Sequence, residues 1–406
     1  MIVPLSEIIA TLESGTSVNG DDTPATGTQG GVLKVSSVAD GRFFPNENKR
    51  IISSEIHRAT VFVRTGDLLV SRANTFDLIG ACGLVDADYP NLFLPDKLWR
   101  VILADESRDY IPWLNHVLNS PSVRIELKKR ATGTSGSMKN IPQNSFLTIS
   151  VFRPPRDEQI EVAHLLDTWD RGIRQLSDLI AAKLRFKQGL MQQLLTGRRR
   201  FPEFTDDWDR RSIGSFLVES RIPGTHGAEA KKLTVKLYGK GVIPKTETRA
   251  GSIATKYYRR KAGQFIYSKL DFLNGAFGII PTELDGFEST LDLPAFDIGY
   301  SVDPDWFRFF VVRESFYKNL LGLANGGRIA RRVNPDDLLK VSIPFPEKPE
   351  QSRIAETLNT ADREIDLLRK ELYALKTQKK GLMQKLLTGQ VRVKVPSELK
   401  AQGPKP

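Results

Sequence analysis

Two nearly identical stretches, GLMQQLLTG at Gly189–Gly197 and GLMQKLLTG at Gly381–Gly389, decide how this chain is organised. They close two segments, 158–197 and 350–389, that align without a gap at an offset of 350 − 158 = 192. The aligned segments are identical at 19 of 40 positions. Such identity over that length does not arise by chance, and we infer an internal duplication.

Apolar residues in both segments recur in alternating steps of four and three, which is the heptad pattern of a coiled coil. Prolines precede each predicted helix, and Gly197 and Gly389 stand where a left-handed C-terminal cap is expected. Each helix would be about 60 Å long, and the spacing leaves a parallel and an antiparallel pairing open. The seam contains Leu166, Trp169, Ile173, Leu176, Leu190 and Leu194 in the first segment and Leu358, Ile365, Leu368, Leu372, Leu382 and Leu386 in the second.

Lysine interrupts the seam once in each copy, at Lys187 and Lys379. Because two lysines buried at one seam position would be costly, we expect the helices to splay there or to meet another protein. A simpler alternative is that these helices only dimerise the chain.

A block of about 150 residues precedes each helix, and its short β-like runs are punctuated by Gly, Pro, Asn and Asp. An amphipathic helix is expected near the end of each block, at Trp113–Arg130 and Trp306–Leu323. The fold class is therefore α+β, with mixed α/β globules between long helices. The predicted boundaries are 1–153 for the first block, 154–200 for the first spacer helix, 201–345 for the second block, 346–392 for the second spacer helix and 393–406 for a disordered tail. The predicted strands are 32–35, 61–63, 67–70, 98–103, 234–237, 264–267 and 277–280.

The two blocks are distant copies of each other. GDLLVSR at Gly66–Arg72 is matched by GQFIYSK at Gly263–Lys269, and each block ends in a Gly-rich basic loop, at 132–140 and 324–332. Since the helices are conserved between the copies and the blocks are not, each block would read a different target while the helices do the same work twice.

The loops and one basic strand have the chemistry of DNA contacts. Small residues let backbone N–H groups approach phosphates, hydroxyl groups donate, and Lys or Arg supplies charge, while Arg suits guanine and Asn suits adenine. For each of these residues an ordinary role, a capped loop or a lysine-guarded hairpin, is an equal alternative. The candidates are Arg72, Asn74, Thr134, Ser135, Ser137, Lys139, Lys256, Tyr257, Arg259, Arg260, Lys269, Asn325, Arg328 and Arg331.

Composition describes a globular protein with an excess of positive charge. The 406 residues include 59 Lys and Arg against 48 Asp and Glu, a formal net charge of +11 that suits a polyanionic partner. The single cysteine, Cys82, excludes an intrachain disulfide and a cysteine-based zinc site. The apolar runs are far shorter than the ~20 residues of a membrane helix, and the N-terminus lacks the pattern of a signal peptide. A cytoplasmic location is expected.

Enzyme signatures are nearly absent. The sequence has no phosphate-binding Gly-x-x-x-x-Gly-Lys-Ser/Thr motif and no His-Glu-x-x-His, and its four histidines are scattered, so we expect no metal site and no catalytic residue. Pro95-Asp96 followed by Glu126-Leu127-Lys128 matches the loose pattern of Mg²⁺-dependent nucleases. Glu126 falls in a predicted helix rather than a strand, which argues against that pattern.

Taken in order, these motifs resemble the specificity subunit of type I restriction–modification enzymes. The resemblance covers nearly the whole chain. It is carried by the two blocks and two helices, by the helix introductions PPRDEQ (Pro154–Gln159) and PEKPEQ (Pro346–Gln351), by their LLTG ends, by Gly66–Arg72, by GSMKNI at 136–141 and by Arg200–Phe204.

The resemblance implies a chain without catalysis of its own. Each block would be a target recognition domain that reads one half of a bipartite site in double-stranded DNA. The helices would pack as an antiparallel, pseudo-twofold ruler that fixes the spacer and docks the partners. Two modification subunits would bring S-adenosylmethionine, and two restriction subunits would bring ATP and Mg²⁺, so that no cofactor is expected on this chain and no membrane is involved. The competing readings are a self-sufficient nuclease or methyltransferase and a pure coiled-coil adaptor.

Overall fold

In a computed structural model that describes residues 1–133, 138–246, 252–323 and 331–394, the chain divides into two compact units. One unit consists of Met1–Ser177 and the stretch from Lys370 onward, and the other of Asp178–Arg369. Both long helices cross this division, so each unit contains part of each helix. Among the described residues, no helix has both the length and the apolar character that crossing a membrane requires.

The first unit is built on a six-stranded sheet of order β2-β13-β9-β11-β6-β5 and a five-stranded sheet of order β3-β7-β4-β12-β8, with the pairs β1-β15 and β10-β14 beside them. Its strands are β1 (Ile2–Pro4), β2 (Ile9–Ser14), β3 (Gly20–Asp21), β4 (Gly31–Leu33), β5 (Val38–Ala39), β6 (Gly41–Phe43), β7 (Asn48–Ile51), β8 (Phe62–Val63), β9 (Leu68–Ser71), β10 (Ala73–Asn74), β11 (Cys82–Leu84), β12 (Tyr89–Phe93), β13 (Leu98–Leu103), β14 (Lys139–Asn140) and β15 (Ser150–Phe152). Its helices are α1 (Ile111–Asn119), α2 (Pro121–Arg130), α3 (Gln143–Leu147) and the beginning of α4 (Arg156–Leu194).

The helix predicted over Trp113–Arg130 is two helices, α1 and α2. Pro121 cannot donate a backbone hydrogen bond to the preceding turn, and the hydroxyl of Ser120 accepts one from the backbone N–H of Val123, which caps the second helix. Trp113 is buried at the centre of the core, which also includes Leu166 of α4.

The second unit has a four-stranded sheet of order β17-β25-β22-β23 and a three-stranded sheet of order β18-β21-β24, with the pairs β16-β26 and β19-β20. Its strands are β16 (Asp209–Ser212), β17 (Leu217–Ser220), β18 (Pro223–His226), β19 (Leu233–Val235), β20 (Val242–Pro244), β21 (Lys256–Arg259), β22 (Phe265–Tyr267), β23 (Phe277–Ile279), β24 (Glu288–Ser289), β25 (Ala295–Ile298) and β26 (Ser342–Phe345). Its helices are the end of α4, α5 (Pro304–Val311), α6 (Glu314–Asn319), α7 (Pro335–Leu339) and the beginning of α8 (Lys348–Leu387).

Aromatic rings fill the core of the second unit. Phe265 lies edge-on to Phe307 at 5.0 Å between ring centroids, and Phe272 packs in the same manner on Phe277 at 4.8 Å. The predicted helix over Trp306–Leu323 is again divided, here between α5 and α6. All seven predicted strands overlap strands of the structure.

The long helices run antiparallel in each unit taken by itself. In the first unit, Lys379 Nζ of α8 donates to Asp170 of α4 at 2.6 Å, and Arg392 Nε donates to Glu158 Oε1 at 2.7 Å. The earlier residue of one helix therefore meets the later residue of the other. In the second unit, Lys187 of α4 bonds Asp362 of α8, and Arg200 Nε donates to Glu350 at 2.9 Å. The antiparallel helix pair implied by the resemblance is confirmed.

The predicted seam is the shielded side of both helices. Leu166, Leu194, Leu358, Ile365 and Leu386 are buried. The other predicted seam residues are partly buried and none is exposed, namely Trp169, Ile173, Leu176, Leu190, Leu368, Leu372 and Leu382. The predicted caps are confirmed as well, because Gly197 and Gly389 have φ of 70° and 76°.

The predicted splaying of the helices at Lys187 and Lys379 is wrong. Each lysine reaches an aspartate of the facing helix, and the two aspartates, Asp362 and Asp170, are themselves equivalent positions of the duplication. The lysine side chains are 18% and 15% exposed. An ion pair across the seam removes the cost of an unpaired buried charge, so the helices stay in contact there.

The described chain extends past the second helix into the segment predicted as a tail. The backbone N–H of Val393 donates to Glu158 at 3.3 Å. The remainder of that segment, from 395 on, lies outside the described residues.

Candidate nucleic-acid interface

In the first unit, the Arg72–Asn74 segment and the end of the Gly-rich loop lie side by side. Strand β10 pairs antiparallel with β14, which sets Asn74 opposite Lys139. The backbone N–H of Ile141 also donates to the carbonyl of Arg72 at 2.9 Å. The fold therefore joins two segments that the sequence had offered separately as DNA contacts.

The second unit repeats this contact around Lys269. The backbone N–H of Val333 donates to the carbonyl of Lys269 at 3.1 Å, as that of Ile141 does to Arg72. In both units a basic residue that follows a buried strand is thus held beside the end of a basic loop. This agreement supports the common origin inferred for the two blocks.

Arg72 carries a polar atom that the described part of the protein leaves unsatisfied. The side chain is partly buried, and its Nε has no hydrogen-bond partner among the described atoms. The side-chain Oδ1 of Asn140, on the strand paired with β10, is in the same condition. Buried polar groups are nearly always bonded, so a ligand that offers hydrogen-bond acceptors and donors here would gain contacts.

Asn74 belongs to the interior instead. It is 4% exposed, its Nδ2 donates to Ser71 Oγ at 3.2 Å, and its Oδ1 accepts from the backbone N–H of Thr75 at 2.8 Å. These contacts are those of a capped loop. A side chain occupied in this way presents no surface to a base edge.

A groove of about 400 Å³ in the first unit gathers basic residues that sequence reasoning missed. Lys34, Lys49 and Lys97 line it together with Ser36 and Met138. Lys49 bonds Asp22 at 2.6 Å, and this bond lowers the pKa of the Asp22 carboxyl. The lysines come from three segments far apart in sequence, and no local pattern indicated that they would meet.

The groove adjoins the Arg72 segment, because the backbone N–H of Arg72 donates to the carbonyl of Lys97 at 3.0 Å. Together these groups form a basic surface whose chemistry suits the phosphates of DNA.

Several predicted loop contacts lie outside the described residues: Thr134, Ser135, Ser137, Asn325 and Arg328. Lys139 is described, and its Nζ donates to the carbonyl of Gly133 at 2.7 Å. Arg331 is exposed at the other loop.

The basic segment around Lys256 forms strand β21, at the centre of the three-stranded sheet and not at an edge. Lys256 and Arg259 are exposed, whereas Tyr257 is partly covered by Lys232, whose Nζ lies 5.4 Å from the centre of the ring. The edge-guarding alternative is therefore excluded by the topology, and the exposed cations remain candidates for phosphate contact.

Arg260 is a structural residue and not a surface contact. It is fully buried, and its guanidinium donates to the carbonyl of Ser220 and to the hydroxyl of Ser289, both at 2.8 Å. Burial lowers the pKa of Arg260 to about 10. With its donors directed inward, Arg260 is left out of the proposed DNA contacts.

The nuclease-like pattern does not form a site among the described residues. Glu126 pairs with Lys129 and Arg130 of its own helix, Lys128 pairs with Asp77, and Asp96 lines the lysine groove. Their charges are thus engaged separately.

One cluster of metal-ligand type was missed in the sequence. His116, Asp167 and Asp170 each place one ligand atom within 4.8 Å of the others. The partners are internal, since His116 bonds Asp167 at 2.9 Å and Asp170 bonds Lys379. Partial burial raises the pKa of Asp167, but the hydrogen bond and charge of His116 outweigh it and hold that pKa below its usual value. A hydrogen bond between α1 and α4 and an ion pair between α4 and α8 account for the cluster.

Comparison with known proteins identifies relatives of one kind. No protein-family model matches the chain. The chain is similar to the putative type I restriction enzyme MjaX specificity subunit of Methanocaldococcus jannaschii, with 23% identity over 353 residues that cover 81% of this chain and 79% of the relative.

Solved structures agree with that relative. The S subunit of a type I restriction–modification system from M. genitalium matches with a TM-score of 0.58 and 13% identity, over 95% of this chain and 96% of that one. A chain from a type I system studied for complex assembly and conformational transition matches with a TM-score of 0.60 and 17% identity, over 96% of this chain and 98% of that one. These structures establish the fold, and with the sequence relative they confirm the resemblance drawn from the motifs.

Proposed function

We propose that this chain is the DNA sequence-specificity subunit of a type I restriction–modification system and that each block reads one half of a split site. The observation that carries the proposal is the duplication. The ion pairs of the helices recur at equivalent positions in both units, whereas the blocks have diverged. A protein that reads two different half-sites at one spacing needs this combination of constant helices and variable blocks.

Basic side chains would meet the DNA in each block, with Arg72 and Lys269 at equivalent places. These are Arg72 with the lysine groove in the first block and Lys269 with the exposed cations of β21 in the second. Lys and Arg contacts to phosphates fix position on the duplex, and contacts to base edges supply sequence. The helix pair would set the distance between the half-sites.

Exposed apolar residues on the long helices support a docking role for partner subunits. Phe186 and Leu367 of the second unit are 61% and 64% exposed, and Tyr373 of the first is 75% exposed. These three side chains lie outside the coiled-coil seam and are not covered by the chain itself. We infer that two modification and two restriction subunits bind, supply S-adenosylmethionine, ATP and Mg²⁺, and carry out the chemistry. This chain would then act in the cytoplasm without a cofactor or catalysis of its own.

Methylation mapping tests the function directly. The chain is expressed with its modification subunit in a host without other methylation, and modified bases are located by long-read sequencing. We expect one bipartite motif with a fixed spacer. Exchange of residues 1–153 for the block of a relative should change one half of that motif and leave the other half intact.

The competing function has its own outcome. If the purified chain alone methylated or cut DNA with S-adenosylmethionine and Mg²⁺ present, it would be a self-sufficient enzyme. If the full chain bound no duplex at low salt, the adaptor reading would replace the proposal.

A further inference from the structure

The turn between β19 and β20 holds a tyrosine in a conformation that tyrosine rarely adopts. The backbone N–H of Lys240 donates to the carbonyl of Leu237 at 3.3 Å, and the two residues between them, Tyr238 and Gly239, have φ of 60° and 65°. Two central residues with positive φ define a type I′ turn, whose first central position favours Asn, Asp or Gly.

A second turn of the same kind shows the usual solution. In the first unit, the two central residues of the turn between the paired Ala39 and Arg42 are Asp40 and Gly41, with φ of 50° and 77°. Among the described residues other than glycine, a positive φ occurs at Asp40 and Tyr238. A bulky aromatic residue in this region is strained, so Tyr238 is the exception that needs a reason.

Neighbouring groups fix the strained turn on the body of the unit. The backbone N–H of Tyr238 donates to the carbonyl of Asn274 at 2.9 Å, and that of Gly239 donates to Gly275 at 2.8 Å. A Cβ added to Gly239 would lie 2.8 Å from a methyl carbon of Val312. The turn is therefore held in one position before any ligand arrives.

Burial of the side chain does not explain why a tyrosine occupies this strained position. Tyr238 is 67% exposed, and beside its ring lies the ammonium of Lys240, 6.0 Å from the ring centre. The side chain thus adds little to the core while its backbone conformation costs stability. Strained positions of this kind concentrate at functional sites, where the surroundings hold them in place.

The hairpin that carries the turn is strongly basic. Residues 230–246 contain five lysines and no Asp or Glu. Lys231, Lys236 and Lys240 are exposed. Lys232 is buried and covers Tyr257 of β21, which ties this hairpin to the strand with the exposed cations.

We propose that residues 236–241 form a rigid tip that enters a groove of the DNA, with Lys236 and Lys240 on phosphates and the Tyr238 ring against base edges. This inference rests on the proposed function and adds a specificity-determining residue to the second block. The hairpin strands are buried through Leu233, Val235 and Val242, so the exposed turn is the part that would meet the groove. The tyrosine offers an apolar ring that can contact a thymine methyl group and a hydroxyl that donates and accepts.

The test separates the tip from the fold by a substitution that relieves strain. Tyr238→Asn places a favoured residue in the turn and removes the ring, whereas Tyr238→Phe keeps the ring. The full chain is titrated against a fluorescent 40-base-pair duplex that carries the motif mapped for the wild-type protein. We expect Tyr238→Asn to raise the Tm yet weaken binding by about tenfold, since base contacts discriminate by such factors. Tyr238→Phe should keep most of the affinity.

Lysine variants and a matched turn variant complete the experiment. Lys236→Gln and Lys240→Gln should each reduce the slope of log affinity against log salt by about 0.9. Asp40→Asn, in the other type I′ turn, should leave affinity unchanged.

If the wild-type chain binds the duplex and Tyr238→Asn binds it with the same affinity, the proposed role of the tip is overturned but the proposed function is not. If Tyr238→Asn keeps its affinity for DNA but no longer binds the modification subunit, the tip would be a protein-docking site. That result also overturns the proposed DNA contact. Failure of the wild-type chain to bind the duplex would instead remove the proposed function itself.

Discussion

A buried glutamine ties the beginning of each long helix to the segment before it. Gln159 Oε1 accepts from the backbone N–H of Tyr110 at 2.9 Å, and its Nε2 donates to the carbonyl of Pro154 at 3.0 Å. Gln351 makes the equivalent bonds with Asp303 and Pro346, both at 2.8 Å. Because both glutamines are fully buried, the Glu-Gln that ends each helix introduction has a structural cause.

Replacement of this glutamine should be costly. In Gln351→Leu, the backbone N–H of Asp303 and the carbonyl of Pro346 would remain buried without partners, and we expect a loss of about 2 kcal/mol in the free energy of unfolding. Urea unfolding of the full chain measures it. Gln378→Leu, at an exposed position of α8, is the matched control. Equal stability of the two variants would show that the hydrogen bonds of Gln351 have no energetic role.

The single cysteine should be inert in the folded protein. Cys82 is completely buried, and burial raises the pKa of its thiol to about 12. A thiol must ionise to react, so we expect no reaction with a disulfide reagent at pH 8 and full reaction after unfolding in urea. Because the folded pKa lies above the unfolded one, the stability that the buried thiol contributes is complete below about pH 8.5 and falls as the pH rises toward 12. Rapid labelling of the native chain would contradict this placement.

At the scale of elements, the helix pair is held in register by ion pairs that lie partly buried at the seam. Lys187 with Asp362 and Lys379 with Asp170 bridge the helices at equivalent points of the two copies. A polar group at a seam position costs stability and in return selects one register among several. The apolar heptads alone would tolerate a shift by a whole repeat.

Replacing one partner of an ion pair should therefore lower the stability more than replacing both partners with apolar residues. Asp170→Ala leaves Lys379 at the seam without its acceptor, and we expect a loss of about 1–2 kcal/mol. Asp170→Leu combined with Lys379→Leu should restore the stability or exceed it. Thermal unfolding compares the two, with Asp366→Ala as the control, since the ion pair of Asp366 with Arg369 is exposed. A double variant no more stable than Asp170→Ala would refute the pairing argument.

The elements that could be predicted are those whose signal is periodic and local. The seam, the caps at Gly197 and Gly389 and the strand cores all follow from spacing within one segment. The partner of Lys187 could not be predicted, because it depends on which register the two segments adopt. Nor could the burial of Arg260, whose side chain is satisfied by groups from several strands.

The candidate site was predicted in part for the same reason. Arg72 and Lys139 were candidates from the sequence, since both belong to segments with a readable composition, but their closeness comes from the strand pairing in the structure. The lysine groove is assembled from three distant segments. The β19–β20 hairpin has a local signal in the sequence, since it contains five lysines and no Asp or Glu. Composition of this kind matches no known motif and does not by itself predict a contact.

For the whole molecule, the length of the helix pair should set the DNA spacer. Insertion of one heptad into each helix, between Ser177 and Ile180 and at the equivalent place in α8, keeps the ion pairs within each unit. The added length is about 10 Å, which corresponds to about three base pairs of DNA at 3.4 Å each. Methylation mapping should give a longer spacer with unchanged half-sites, and altered half-site bases would refute the ruler.

The division of both long helices between the units also fixes the order in which the protein can be completed during translation. The second unit ends at Arg369, whereas the core of the first includes Met383, Leu386 and Leu387. The block made first by the ribosome therefore keeps part of its apolar interior uncovered until residues up to Leu387 have emerged. A nascent chain stalled before Leu387 would present this uncovered surface to chaperones and proteases.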